Sequence, residues 1–139
     1  MPSVERFGVS MEPELLAQLD AMVAARGYAS RSEAVRDLIR RDLVTAEWTD
    51  PEAEVAGSVS IVYDHHAHEL AQVLAEVQHD CHECIVCSTH VHMDHDNCLE
   101  VIILKGPSAK VTDIANRLIS TRGVKHGKLV SSTTGVSVG

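Results

Sequence analysis

The sequence predicts an α+β chain of two units, a strand–helix–helix unit followed by one with the order β-α-β-β-α-β. Three observations predict it. Apolar residues alternate at period two in several short runs, they recur at helical spacing in the segments between, and Gly27, Gly57, Gly106 and Gly123 stand at the boundaries.

Val4 to Met11 alternates, with Phe7, Val9 and Met11 on one face and Arg6, Gly8 and Ser10 on the other, which predicts one short strand. One strand alone is not stable, so the simplest partner is the same strand of a second chain about a two-fold axis. Pro13 opens a helix whose stripe is Leu15, Leu16, Leu19, Met22 and Val23, and Gly27 closes it. Ser30 and Glu33 form a capping box for a second helix striped by Val35, Leu38, Ile39 and Leu43. These elements set a first domain at residues 1–48. Residues 49–57, with Thr49, Asp50, Pro51 and Gly57, are expected to link it to a second domain at 58–139.

In that second domain Val59 to Tyr63 predicts a strand, and Leu70, Val73, Leu74 and Val77 a helix. Glu83 to His92 and Cys98 to Leu104 predict a hairpin, and Lys105-Gly106-Pro107 a turn. Val111, Ile114, Ala115, Leu118 and Ile119 mark the next helix, closed by Gly123, and Lys128 to Ser132 the last strand. The order is the ferredoxin-like one, with helices on one face of the sheet and the other left for subunit contacts.

A chain of 139 residues with 3% aromatic content must fill small cores with aliphatic side chains, and oligomerisation would help both domains. No run is long enough to span a membrane and no signal segment is recognisable, so a cytoplasmic location is the expectation. In a reducing compartment the four cysteines are expected as thiols or metal ligands rather than as disulfides. The net charge of −8 gives no general attraction to nucleic acid. Any contact with DNA would rest on individual arginines, six of which fall in residues 1–48.

The chemistry is concentrated in residues 79–98, which hold five of the histidines and all four cysteines. His90 and His92 flank Val91 in a strand, so both imidazoles point the same way. Met93 to Asn97 is a polar break, and a hairpin turning there sets Cys98 opposite His92 on that face. Two nitrogens and one sulfur would thus converge. His79, at the end of a helix-patterned segment, is the best-placed fourth ligand outside the hairpin.

The whole chain resembles the nickel-responsive transcriptional regulators called NikR. The resemblance runs from about Arg6 to Leu129 and rests on Gly27-Tyr28, on Ser30 to Asp37, on Gln78-His79 and on Thr89-His90-Val91-His92. Asp96 to Glu100, Leu104-Lys105-Gly106 and Arg122 to Gly127 complete it. It implies an N-terminal ribbon-helix-helix DNA-binding domain, a C-terminal ACT-like domain and a homotetramer built as a dimer of dimers. It implies one Ni(II) per subunit, held by His90, His92 and Cys98 of one chain and His79 of a neighbour. It also implies a second cation site, for potassium, at Glu33 and Asp37. Gly8 departs from the family pattern, in which relatives commonly place a hydroxyl residue on the DNA-facing side of the strand.

Three imidazoles and a thiolate suit a d⁸ ion such as Ni(II), with Cu(II) close behind, whereas zinc prefers a tetrahedron. On the DNA side a paired ribbon presents Arg6, Gly8 and Ser10 to base edges, and the helix start at Ser30, Arg31 and Ser32 offers free amides to a phosphate. The resemblance implies operator DNA with palindromic half-sites as the partner, and repression of nickel uptake genes when Ni(II) is bound. Alternatives are a regulator sensing zinc, copper or a small molecule through its ACT-like domain. Cys81, Cys84 and Cys87 could form a zinc knuckle, but no second pair stands at finger spacing. Thr89 to His95 also resembles the zinc motif of metallo-β-lactamase-fold hydrolases, yet such an enzyme needs a larger fold and further downstream ligands than His126 and Asp113. An antitoxin would follow its ribbon with a disordered tail rather than a folded domain. No enzymatic activity is expected.

Overall fold

The computed structural model describes residues 3–67 and 69–139, so His68 lies outside the described residues. The chain divides into two compact units, one ending at Ile39 and one beginning at Arg40.

In the first unit α1 (Pro13–Ala25) begins with proline in its first turn, where a missing amide costs no hydrogen bond. Gly27 takes φ +75°, the left-handed conformation that ends a helix. Helix α2 (Arg31–Thr49) is capped as the sequence predicts, the Glu33 amide donating to Ser30 Oγ at 3.2 Å. The expected strand over Val4–Met11 does not form: residues 3–12 have no regular structure, and residues 3–10 are exposed. A strand exists only through hydrogen bonds to a neighbour, and the single chain supplies none here.

The second unit contains β1 (Glu54–Asp64), α3 (Leu70–Asp80), β2 (Ile85–His92), β3 (Asn97–Pro107), α4 (Ser108–Ile119) and β4 (Val124–Ser131). Its four strands lie in the order β2-β3-β1-β4 with every pair antiparallel, the ferredoxin-like arrangement. Strand β1 buries every second residue, so Val55, Val59, Ile61 and Tyr63 meet Ile102 and Leu104 of β3 on one face. Leu70 and Leu74 of α3 and Val111, Ile114, Ala115 and Leu118 of α4 close the same core.

Several boundaries differ from the expectation. Strand β1 starts at Glu54 rather than Val59, so of residues 49–57 only 50–53 stand outside helix and strand. Gly57 is a strand residue that lets Trp48 approach, since a Cβ there would lie 3.1 Å from the indole. Lys105-Gly106-Pro107 ends β3 instead of turning the chain, and β4 opens four residues before Lys128, past a register shift at Val62/Tyr63.

Candidate metal centre and nucleic-acid interface

The β2–β3 hairpin has the register that its sequence predicts. His92 pairs with Cys98 and His90 with Glu100, all on the face where Ile102 and Leu104 enter the core. The turn is held by Asp94, whose Oδ1 accepts from the amides of Asp96 at 2.9 Å and Asn97 at 2.7 Å. Hydrogen bonds from the Asn97 side chain, then from the amides of Asn97 and Asp96, hold the Asp94 carboxyl down at about 2. Lys125 Nζ donates to Asn97 Oδ1 at 2.6 Å from the neighbouring segment.

Cys98 is 1% exposed, and its Sγ lies 3.6 Å from His90 Nδ1. The other ring nitrogen of His90, Nε2, is 3.1 Å from Glu100 Oε1. Glu100 is itself buried, at 2% exposure, and accepts from Tyr63 OH at 2.9 Å and from Gln78 Nε2 at 2.8 Å. Burial, then the carboxylate of Glu100, push the Tyr63 hydroxyl up, so it stays protonated and donates. A carboxylate beside the far nitrogen of an imidazole can orient the ring. Glu100 stands beside His90 in this way, and composition alone did not mark it. The available signal was an acid in the buried phase of Cys98, Glu100, Ile102 and Leu104.

His92 packs edge-on against the ring of His65, with centroids 4.8 Å apart, and its donors do not close with Cys98 and His90 into a compact triple. His79 stands exposed in the last turn of α3 beside His82, with ring centroids 6.3 Å apart. The donor set itself fits a borderline-to-soft divalent ion, because one buried thiol and one oriented imidazole already face each other. Among the described residues one group of three gathers its donor atoms within 4.8 Å, namely His66, His95 and Asp96. Sequence reasoning did not assemble that group, because it joins the β1–α3 loop to the hairpin turn.

Arg6, Gly8 and Ser10 are all exposed in the irregular N-terminal segment. Ser30 is occupied as a helix cap, and Ser32 is exposed in the first turn of α2. Arg31 makes a two-pronged pair with Asp20, Nε to Oδ1 at 2.7 Å and a terminal nitrogen to Oδ2 at 2.8 Å, tying α2 to α1. Glu33 and Asp37 stand one turn apart on α2, and Asp37 accepts a hydrogen bond from the Tyr28 hydroxyl.

Comparison with known proteins agrees with both halves. Residues 56–132 match the NikR C terminal nickel binding domain, and residues 5–46 match the ribbon-helix-helix protein, copG family. The chain is 58% identical over 130 residues to a protein of Nitratidesulfovibrio vulgaris, with 94% of each chain covered. It is 51% identical to one of Thermococcus onnurineus, covering 95% of this chain and 96% of that one. A protein of Solibacter usitatus is 49% identical with 99% of each covered. All three are provisionally named nickel-responsive regulators. A solved structure of an uncharacterized protein from Thermotoga maritima is similar in fold at TM-score 0.50 and 16% identity, covering 56% of this chain and 96% of that one.

A ribbon-helix-helix domain joined to a NikR C-terminal domain defines a DNA-binding regulator, not an enzyme. The chain belongs to the NikR family of nickel-responsive transcriptional regulators. No helix among the described residues is long and apolar enough to cross a membrane.

Proposed function

We propose that this protein is a cytoplasmic repressor that binds operator DNA when Ni(II) is present and lowers nickel uptake. It binds one Ni(II) per subunit through His90, His92 and Cys98, with His79 supplied by a neighbouring chain of a homotetramer. The observation that carries this reading is the hairpin register, which pairs His92 with Cys98 while Cys98 Sγ lies 3.6 Å from His90 Nδ1. The nickel-responsive names of relatives at up to 58% identity select the metal. The exposed position of His79 on α3 suits a ligand given to another chain.

On DNA, residues 3–12 of two chains pair into a ribbon that presents Arg6, Gly8 and Ser10 to the major groove, while Ser30, Arg31 and Ser32 meet phosphate. Two-fold pairing makes the operator palindromic. Arg6 reaching guanine with two hydrogen bonds would contribute about 1–3 kcal/mol of base discrimination. Glu33 and Asp37 form the second cation site, for K⁺. Metal joining two chains favours the spacing of ribbon pairs that fits the operator, which is a differential affinity between two states.

The test is titration of the reduced protein with Ni(II) beside Cys98→Ala, followed by operator binding at fixed salt. Expected are one thiolate-bound nickel per chain with a planar d⁸ spectrum, and nickel-dependent operator affinity, both lost in the mutant. Unchanged operator affinity with and without nickel would sink the reading.

A further inference from the structure

We propose that Cys81 and Cys84 form a reversible dithiol–disulfide pair that exchanges with small-molecule disulfides, apart from the thiol at Cys98. Both are free thiols, and both line one cleft of about 400 Å³ between the end of α3 and the first half of α4, beside Lys110 and Asp113. No part of this rests on the nickel reading.

The backbone sets the spacing of the pair. Cys81 caps the end of α3, its amide donating to the Val77 carbonyl at 3.1 Å, and residues 81–84 make a turn in which the Cys84 amide donates to the Cys81 carbonyl at 3.0 Å. A turn so closed brings its end Cα atoms within about 7 Å, and a disulfide spans about 4.4–6.8 Å. The far side is pinned as well, because the Lys105 amide donates to the Cys84 carbonyl at 2.8 Å. Gly106 leaves the space that the second sulfur occupies, since a Cβ there would lie 2.8 Å from Cys84 Sγ.

The two thiols differ in access. Cys81 is half-buried and its Sγ accepts from an Arg117 terminal nitrogen at 3.2 Å, whereas Cys84 is 7% exposed. That asymmetry assigns the order of exchange. The Cys81 sulfur bonds to one sulfur of a small disulfide and displaces the other half as a thiolate; the Cys84 sulfur then bonds to Cys81 and displaces the second half. Two protein thiols are oxidised, one small disulfide is reduced to two thiols, and the two protons pass from the first to the second. A metal fits this cleft less well. Zn(II) takes four ligands, and among the described residues neither Cys87 nor an acid joins these two sulfurs into a compact triple. Cys87 is exposed on β2, past the register shift that follows Ile85.

The experiment equilibrates the reduced full chain, with Cys87→Ser removing the exposed competitor, in buffers of rising oxidised-to-reduced glutathione ratio. Remaining thiols are alkylated and the chain is weighed and mapped by mass spectrometry, in native buffer and in urea. Expected is the loss of two thiols to a Cys81–Cys84 bridge, with Cys98 alkylated, full reversal by reduced glutathione, and closure at a lower ratio in the folded chain than in the unfolded one. Adding Cys84→Ser should stall the reaction as a mixed disulfide at Cys81. Closure at the same or a higher ratio in the folded chain overturns the pair, as does a bridge that takes in Cys98 or a Cys81 left unreacted when Cys84 is replaced. Cys98 is read separately at each ratio, so the outcome here does not depend on that of the nickel titration.

Discussion

Between Val55 and Leu118, side chains of β1, β3, α3 and α4 reach near-complete burial, whereas α1 buries no residue and α2 only Ala34. The apolar residues are present in both regions. Phe7, Val9, Leu15, Leu38 and Ile39 carry the stripes predicted for the first unit, and all are exposed. The C-terminal unit closes its own core, because a four-stranded sheet with two helices on one face buries one full side of the sheet. The irregular N-terminal segment and the two helices leave their apolar residues without a lid. The contrast teaches where a second chain is required, and it agrees with the paired ribbon proposed above.

Deep truncation in the closed core should have the largest effect. Leu118 is fully buried in α4 against the sheet, so Leu118→Ala removes packed methyl groups and leaves a cavity. The expected loss is about 2–5 kcal/mol. Trp48, the one tryptophan, packs against this core and donates to the Ser132 carbonyl at 2.9 Å, so its fluorescence follows the transition in denaturant. A loss under about 0.5 kcal/mol, typical of surface positions, would mean that the core is not the source of this unit's stability.

Phe7→Ala sharpens the comparison from the other side. With Phe7 75% exposed, the single chain predicts almost no change. If the ribbon of a second chain covers it, the loss is about 1.5–3 kcal/mol and depends on protein concentration. Amide hydrogen exchange over residues 5–46 at two protein concentrations decides between these. Protection that does not change with concentration in either wild type or mutant would remove the need for a second chain.

What the sequence made legible follows the same division. Periodicity placed both helices of each unit, and Ser30 with Glu33 placed the start of α2 within a residue. The strict two-residue period of strands placed Cys98 opposite His92. Local rules reach that far. Strand β1 was shortened because Gly57 reads as a breaker, although the approach of Trp48 is what requires it. Glu100 reads as a polar residue until its position in the buried phase is matched to Tyr63, Gln78 and His90 from three other elements. His66, His95 and Asp96 meet only through the β1–α3 loop and the hairpin turn, a tertiary closure that no spacing encodes.

The smallest effect is expected at the pair that joins the two helices of the weaker unit. Arg31 holds the Asp20 carboxyl below its ordinary value of 3.8, chiefly by direct hydrogen bonds. A depressed carboxylate contributes stability above its ordinary pKa, and the contribution is lost as pH falls through the lowered one. Both side chains are about half exposed, so water and salt screen the pair and two long side chains must be ordered to make it. Asp20→Asn should therefore leave the denaturation midpoint nearly unchanged at pH 7. It should flatten the acid-side fall in stability of the N-terminal unit, more at low ionic strength than at high. A pH 7 shift as large as that of Phe7→Ala would mean that the Arg31 pair, rather than a covering chain, holds α1 to α2.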